Sequence, residues 1–320
     1  MTYARIVGTG SYLPERVLTN AELAPRIGSD EEWIVSRTGI QARHIVADDQ
    51  KTSDLAVIAA QRALAAANLA ATDIDLLIVA TASGDMQFPS TASIVHQKLG
   101  MTPQAAAFDV AAVCAGFVYA LSTANAFIRS GQAHRVLVIG AETFSRILDW
   151  NDRRTCVLFG DGAGAAVLVA DDETGILGCH IHTDGRFGSI LNVPASMQHG
   201  QIVGSPYLYM DGQAVFKFAV KALSELAART LEQAGFAQSE LDWLVPHQAN
   251  LRIIEATARH LHLPMEKVVV TLPQQANTSA ASIPLALDAA VRDGRIQRGQ
   301  LVMLEGIGGG FAWGSVLLRY

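Results

Sequence analysis

Three residues stand where an apolar run gives way to something polar: Cys114 in FDVAAVCAGF, His247 in LDWLVPHQAN and Asn277 in TLPQQANTSAAS. Each follows a stretch with the make-up of a buried strand and precedes a helical pattern. In open α/β sheets the carboxyl ends of strands line the ligand crevice, so three such ends can converge on one site. A thiol, an imidazole and a carboxamide together suit acyl transfer, in which a thiolate attacks a carbonyl and nearby donors hold the oxyanion that develops. A helix begins directly after Cys114, and its free N–H groups and dipole favour a thiolate there. The run Gly308, Gly309, Gly310 offers bare backbone N–H groups that can approach the same crevice. Taken singly, each residue has a plainer explanation. Free cysteine is among the most buried residue types, a histidine at a strand end is often just hydrogen-bonded, and an asparagine before a helix is a usual cap.

The elements that must position these residues alternate β-branched runs with alanine-rich helical patterns, the mark of an α/β protein with covered sheets. LLIVATAS, RVLVIGAE, AAVLVA, LDWLVPH, KVVVTL and GSVLLRY predict strands. Phe117, Ala120, Leu121, Ala124, Phe127 and Ile128 share one helical face that ends at Gly131; Leu223, Leu226, Ala227, Leu231 and Ala234 share another that ends at Gly235. Residues 63–83 also align without a gap on residues 230–250: Leu64 meets Leu231, Ala67 meets Ala234, Asp75 meets Asp242 and Leu77 meets Leu244. GDGAGAAVLVA and GGGFAWGSVLLRY rhyme in the same way. This predicts two similar α/β halves, 1–172 and 173–320, the second entered through a loop-rich stretch, 183–212, suited to a lid or a tunnel wall.

Composition narrows the function. With 50% hydrophobic and 17% charged residues and a net charge of −6, the 320-residue chain lacks the basic excess of a general nucleic-acid binder. Its most apolar run, 105–121, is interrupted by Asp109 and too short to span a bilayer, and MTYARIVGTGSY has no signal-peptide pattern, so a cytoplasmic protein is expected. Cys114, Cys156 and Cys179 lie far apart without a C-x-x-C pair, which predicts neither a metal site nor a disulfide framework. Gly8-Thr-Gly10 is followed by Leu13 and Pro14, and GDGAGA leads into a strand, so neither is a dinucleotide loop.

With GTGSYLPERVLTN, EEWIVSRTGI, AAVCAGF, LFGDGAGA, VPHQAN, ANTSAAS and GGGFAWGS, the whole chain resembles the β-ketoacyl-acyl-carrier-protein synthase III family of thiolase-like condensing enzymes. The resemblance implies a five-layered α-β-α-β-α fold made of two similar halves. It also implies decarboxylating condensation of an acyl-CoA primer, acetyl-CoA first among them, with malonyl-acyl carrier protein. A starter synthase or acyltransferase of the same fold is the alternative. Cys114, His247 and Asn277 match the family's catalytic triad, and the backbone N–H groups of Cys114 and Gly309 its oxyanion hole. Trp33, Arg37, Thr38 and Arg153 match contacts to the CoA nucleotide, and Phe216 and Asn250 the pantetheine tunnel. Phe88 matches a residue that reaches into the partner's acyl pocket in a homodimer. Lys217, Arg252 and Arg259 match a basic patch for the acidic carrier protein. No cofactor or metal is implied, and no nucleic acid or membrane. Two positions depart from the family's usual residues: Ala276 stands for glycine before the asparagine, and Ile307 for phenylalanine before the glycine run. Ile307, like Met86, lies where the acyl chain is expected, which leaves primer choice open to branched or medium-length acyl groups.

Overall fold

The computed structural model of the chain describes residues 2–320. Two sheets organise it. The first holds β1 (Tyr3–Tyr12), β2 (Leu76–Ala80), β3 (Ala106–Val110), β4 (Arg135–Thr143) and β5 (Asp161–Asp171), in the order β1-β5-β4-β2-β3. The second holds β6 (Ile176–Thr183), β7 (Trp243–Pro246), β8 (Leu301–Gly308) and β9 (Ala312–Arg319), in the order β6-β9-β8-β7. Position for position, the four strands of the second sheet repeat the first four of the first, β1-β5-β4-β2, and only β3 lacks a counterpart.

Helices cover these sheets in three layers. α1 (Glu31–Thr38) lies at the edge of the molecule, while α2 (Thr52–Ala67) and α3 (Thr91–Leu99) cover the outer face of the first sheet. Between the sheets run α4 (Gly116–Arg129) and α7 (Ser282–Arg292), and α5 (Gly212–Ala234) and α6 (Leu251–His260) cover the second sheet from outside. The central core explains the near-continuous apolar strands, since strands buried on both faces need no polar alternation. Ile78, Val138 and Leu168 of the first sheet and Val302, Leu304 and Val316 of the second close on α4 and α7 from opposite sides. Leu77, Val79 and Ile139 point the other way, onto α2 and α3. The face of α4 read from the sequence is buried as expected, and its Phe117 is wholly inaccessible. Burying such a ring contributes roughly 1.5–3 kcal/mol, and here it also anchors the turn that carries Cys114.

The aligned segments of the sequence behave alike. α2 ends on Asn68 (φ 53°) and α5 on Gly235 (φ 79°), both left-handed caps. Asp75 and Asp242 each stand just before a strand, and each carboxylate accepts a backbone N–H, from Arg135 and Leu301 respectively.

One expected strand is nearly absent. KVVVTL forms a single bridge, Val268 to Leu244, with a hydrogen bond from Val269 N to Leu244 O. The buried Gln248 side chain explains this: its Nε2 donates to Val269 O (3.1 Å), and its Oε1 accepts from the N–H groups of Thr271 (2.9 Å) and Leu272 (3.1 Å). A side-chain amide thus replaces ladder partners and turns the backbone toward Asn277. The stretch 183–212 folds into a short helical turn, Gly185–Ile190, a hairpin pairing Ser196–Gln198 with Gln201–Val203, and a contact of Leu191–Asn192 with Tyr209–Met210.

Candidate active site

Cys114 sits in a single helical turn, Val113–Ala115, that runs directly into α4. Val113 holds a φ of 47°, a conformation a β-branched residue seldom adopts, so the backbone bends sharply just before the cysteine. The glycine run of β8 passes alongside. A Cβ on Gly308 would stand 2.5 Å from the Cys114 nitrogen, so only glycine lets the two backbones meet. The thiol is 3% exposed, and its Sγ–H donates to Ser279 Oγ at 3.4 Å. Burial pushes the thiol up to about 12 and the nearby Glu142 carboxylate adds to the rise, against a smaller lowering by Ser279. Desolvation thus works against the thiolate that a helix N-terminus favours and holds Cys114 toward the thiol.

His247 follows β7, its N–H donating to Glu305 O at 2.7 Å. Its ring is 4% exposed, and burial alone lowers it to about 3, so it is neutral. Nδ1 lies 2.6 Å from Ser282 Oγ, which also accepts the Gln248 N–H at 3.3 Å. Nδ1 is thereby engaged, and Nε2 is the ring nitrogen left for the chamber; when the Ser282 hydroxyl donates to Nδ1, the ring carries its own proton on Nε2. Asn277 is also buried, and its Oδ1 accepts the Ser279 N–H at 2.8 Å. That bond fixes the amide plane and leaves Nδ2 as the free donor.

Cys114, His247 and Asn277 line one small chamber of about 130 Å³, together with Phe159, Leu191, Ile307 and Phe311. A wider cavity of about 550 Å³ adjoins it, lined by Trp33, Arg37, Thr38, Arg153, Arg154 and Arg252. Leu158, Gly212, Phe216 and Asn250 line both, so the two form one passage from surface to thiol.

Comparison with known proteins adds to this geometry. Residues 108–185 match the family described as 3-oxoacyl-[acyl-carrier-protein (ACP)] synthase III, and residues 231–320 match its C-terminal part. A β-ketoacyl-[acyl-carrier-protein] synthase III of Laribacter hongkongensis is 66% identical over 320 residues, covering all of both chains. One from Neisseria gonorrhoeae is 62% identical with the same coverage. The chain belongs to the β-ketoacyl-acyl-carrier-protein synthase III family. The crystal structure of the Aquifex aeolicus 3-oxoacyl-[acyl-carrier-protein] synthase III superposes with a TM-score of 0.94 at 44% identity, covering 99% of this chain and 100% of that one. The α/β architecture is accordingly the thiolase-like fold of two similar halves.

In this synthase III chain the passage is basic although the whole protein is acidic. Arg154 is tied to Asp152 at 2.9 Å, which leaves Arg37, Arg153 and Arg252 as the cations facing the wide cavity. The Arg153 guanidinium lies 5.2 Å from the centre of the Trp33 ring, and that of Arg252 lies 5.6 Å from the centre of Phe216. Thr38 lines the cavity, but its hydroxyl is buried, donating to Ile34 O and accepting from Ile40 N. Asn250 caps α6 through Oδ1, and its Nδ2 donates to Arg37 O at 3.0 Å, which links α6 to α1 at the junction of the two cavities.

Other residues singled out in the sequence lie apart from the passage. Phe88 is 82% exposed on the loop before α3, and Met86 is exposed beside it; neither lines the chamber of its own chain. Arg259 is exposed at the far end of α6, and Lys217 lines a separate groove of about 710 Å³ with Trp313 and Lys221. Leu191 and Met210 bring the loop-rich stretch into the chamber wall.

Three residues escaped the sequence reading: Ser279, Ser282 and Glu142. The two serines lie in ANTSAASIP beside Asn277, the one residue of that stretch the sequence singled out. Glu142 ends β4, and an acid closing the apolar run RVLVIGAE was the one available signal. It is fully buried, and its carboxylate accepts from Ala82 N, Thr81 Oγ1, Ser83 Oγ and Ser279 Oγ.

Proposed function

We propose that this chain joins an acyl-CoA primer to malonyl-acyl carrier protein by decarboxylating Claisen condensation, giving a 3-oxoacyl-acyl carrier protein, CoA and carbon dioxide at the start of fatty-acid synthesis. The observation that carries this reading is the convergence of Cys114, His247 and Asn277 on one small chamber at the end of a basic passage. Residues 1–172 supply the nucleophile and residues 173–320 the two donors. The phosphates of CoA meet Arg37, Arg153 and Arg252, its adenine stacks between Trp33 and Arg153, and its pantetheine passes Phe216 and Asn250. The Cys114 sulfur takes the acyl group, and the backbone N–H groups of Cys114 and Gly309 hold the carbonyl oxygen as it becomes an oxyanion.

In the second half-reaction, malonyl-acyl carrier protein replaces CoA. His247 Nε2–H and Asn277 Nδ2–H donate to the malonyl thioester oxygen, which bears the enolate charge as carbon dioxide leaves. The resulting carbanion attacks the acyl-Cys114 carbonyl, the carbon–sulfur bond breaks with its electron pair leaving on the Cys114 sulfur, and the thiolate takes up one proton from water to return the thiol. A neutral histidine suits this role, because it must donate a hydrogen bond without carrying a charge into an apolar chamber. Acetyl-CoA is the expected primer. Lys217, Arg252 and Arg259 form the basic face for the acidic carrier protein, and a second copy of the chain brings its Phe88 to the acyl pocket. The reading requires no metal or cofactor and places the enzyme in the cytoplasm. Among the described residues no helix is long and apolar enough to cross a membrane.

Radiolabelled acetyl-CoA tests the assignment. Wild-type protein takes up label in the absence of malonyl-acyl carrier protein and Cys114→Ala does not, whereas His247→Ala and Asn277→Ala still acylate but no longer release carbon dioxide from the malonyl substrate. Undiminished labelling of Cys114→Ala would remove the nucleophile from this account.

A further inference from the structure

The buried thiol poses a question that the triad leaves unanswered: which group takes the Cys114 proton when the acyl group arrives. His247 is neutral and held by Ser282, and the polar partner of the Cys114 sulfur is Ser279. Ser279 Oγ accepts from the Cys114 thiol at 3.4 Å and donates to Glu142 Oε1 at 3.1 Å, so donor and acceptor roles run one way from sulfur to carboxylate. The three groups come from three separate elements: the turn before α4, the turn after Asn277, and the end of β4. Ser279 keeps this place at a backbone cost. Its φ of 50° lies in the left-handed region, disfavoured for a residue with a side chain, and such strain collects where function fixes a position.

We propose that Ser279 and Glu142 form a proton relay that activates Cys114 for acylation, a role that rests on Cys114 being the nucleophile. In the step, the thiol proton passes to Ser279 Oγ as the Ser279 proton passes to a Glu142 oxygen. The freed sulfur lone pair forms the bond to the acyl carbonyl carbon, and the carbonyl π pair moves onto its oxygen. As the tetrahedral state collapses, the carbon–sulfur bond to CoA breaks and its electron pair leaves on the CoA sulfur. That sulfur takes back the proton from Glu142 through Ser279, so the net change moves one proton from Cys114 to CoA.

Glu142 is suited to hold a proton briefly. Burial pushes its carboxyl up to about 7, against the lowering effect of donors from Ser83, Ala82, Ser279 and Ala280. The elements packed against it present Thr81, Ala82 and Ser83 from the loop after β2, Gly162 from β5, Ser279 and Ala280, and Cys114. Of these only Cys114 titrates. The carboxylate form accepts the proton, and acylation therefore rises with pH through the Glu142 transition.

Single-turnover acylation by acyl-CoA, followed against pH, tests the relay with Ser279→Ala and Glu142→Gln. In the wild type the rate climbs to a plateau through an inflection near pH 7. Ser279→Ala lowers the rate at the pH of the wild-type plateau by about a hundredfold, in the usual range for lost general base catalysis, and the inflection disappears, leaving a rate that climbs steadily toward high pH. Decarboxylation of malonyl-acyl carrier protein by enzyme already acylated stays near the wild-type rate. Should Glu142→Gln fail to fold, Ser279→Ala decides alone. An unchanged pH profile in that variant, or equal loss in both half-reactions, overturns the relay. Labelling of Cys114→Ala would instead overturn the nucleophile, so the two failures are distinct.

Discussion

Ser282 Oγ stands 2.6 Å from His247 Nδ1 and receives the Gln248 N–H from its other side. This pair decides which ring nitrogen faces the chamber, because Nδ1 is engaged by the serine and Nε2 is left free. A buried imidazole without that partner can turn or change tautomer. Ser282→Ala is expected to slow decarboxylation by roughly tenfold to a hundredfold, the rate equivalent of about 1–3 kcal/mol for a buried group left unpaired. Acylation of Cys114, which does not use the ring, should stay within about twofold. Stopped-flow measurement of the two half-reactions checks the split, and equal slowing of both would mean that Ser282 only supports the fold.

The pH dependence of stability follows from the same burial. His247 is depressed from 6.5 to about 3, so the unfolded chain binds its proton far more readily than the folded one. The stability tied to this group is complete above pH 6.5 and is lost as pH falls toward 3. Glu142 has the opposite sign: raised from 4.5 to about 7, it favours the folded state below pH 4.5 and loses that contribution as pH rises through 7. Urea unfolding of the wild type from pH 7 to pH 3 should therefore decline more steeply than that of His247→Gln, by up to about 4 kcal/mol at the acid end. Parallel declines in the two proteins would show that the ring is not buried uncharged.

Much of this site was legible because apolar periodicity and strand ends are local signals. Cys114, His247 and Asn277 each stood where a strand pattern stopped, and the repeat linking Asp75 to Asp242 carried the two-sheet plan. What the sequence hid depends on long-range contacts. Glu142 reads as the end of a strand until Ser279, far along the chain, closes over it. KVVVTL has the composition of a strand, and only the Gln248 amide shows why its ladder is missing. The opposing pull on Cys114 was hidden for the same reason: a helix N-terminus is visible in sequence, whereas complete burial from both sheets is not.

Ile307 is the residue at which primer choice can be tested. Its side chain lines the chamber with Leu191, Phe159 and Phe311 and is 5% exposed, so a change there alters the space left for the acyl group. A branched aliphatic side chain leaves room that a phenyl ring would fill in a chamber of only about 130 Å³. Each methylene gained or lost in such a pocket is worth about 1–3 kcal/mol in discrimination. Ile307→Phe should therefore lower kcat/KM for four-carbon and longer acyl-CoA at least about tenfold relative to acetyl-CoA, with acetyl-CoA itself little changed. Competition between acetyl-CoA and butyryl-CoA, read as the ratio of the two 3-oxoacyl products, measures this directly. If the ratio is the same in both proteins, the acyl chain does not lie against residue 307 and Ile307 does not set primer choice.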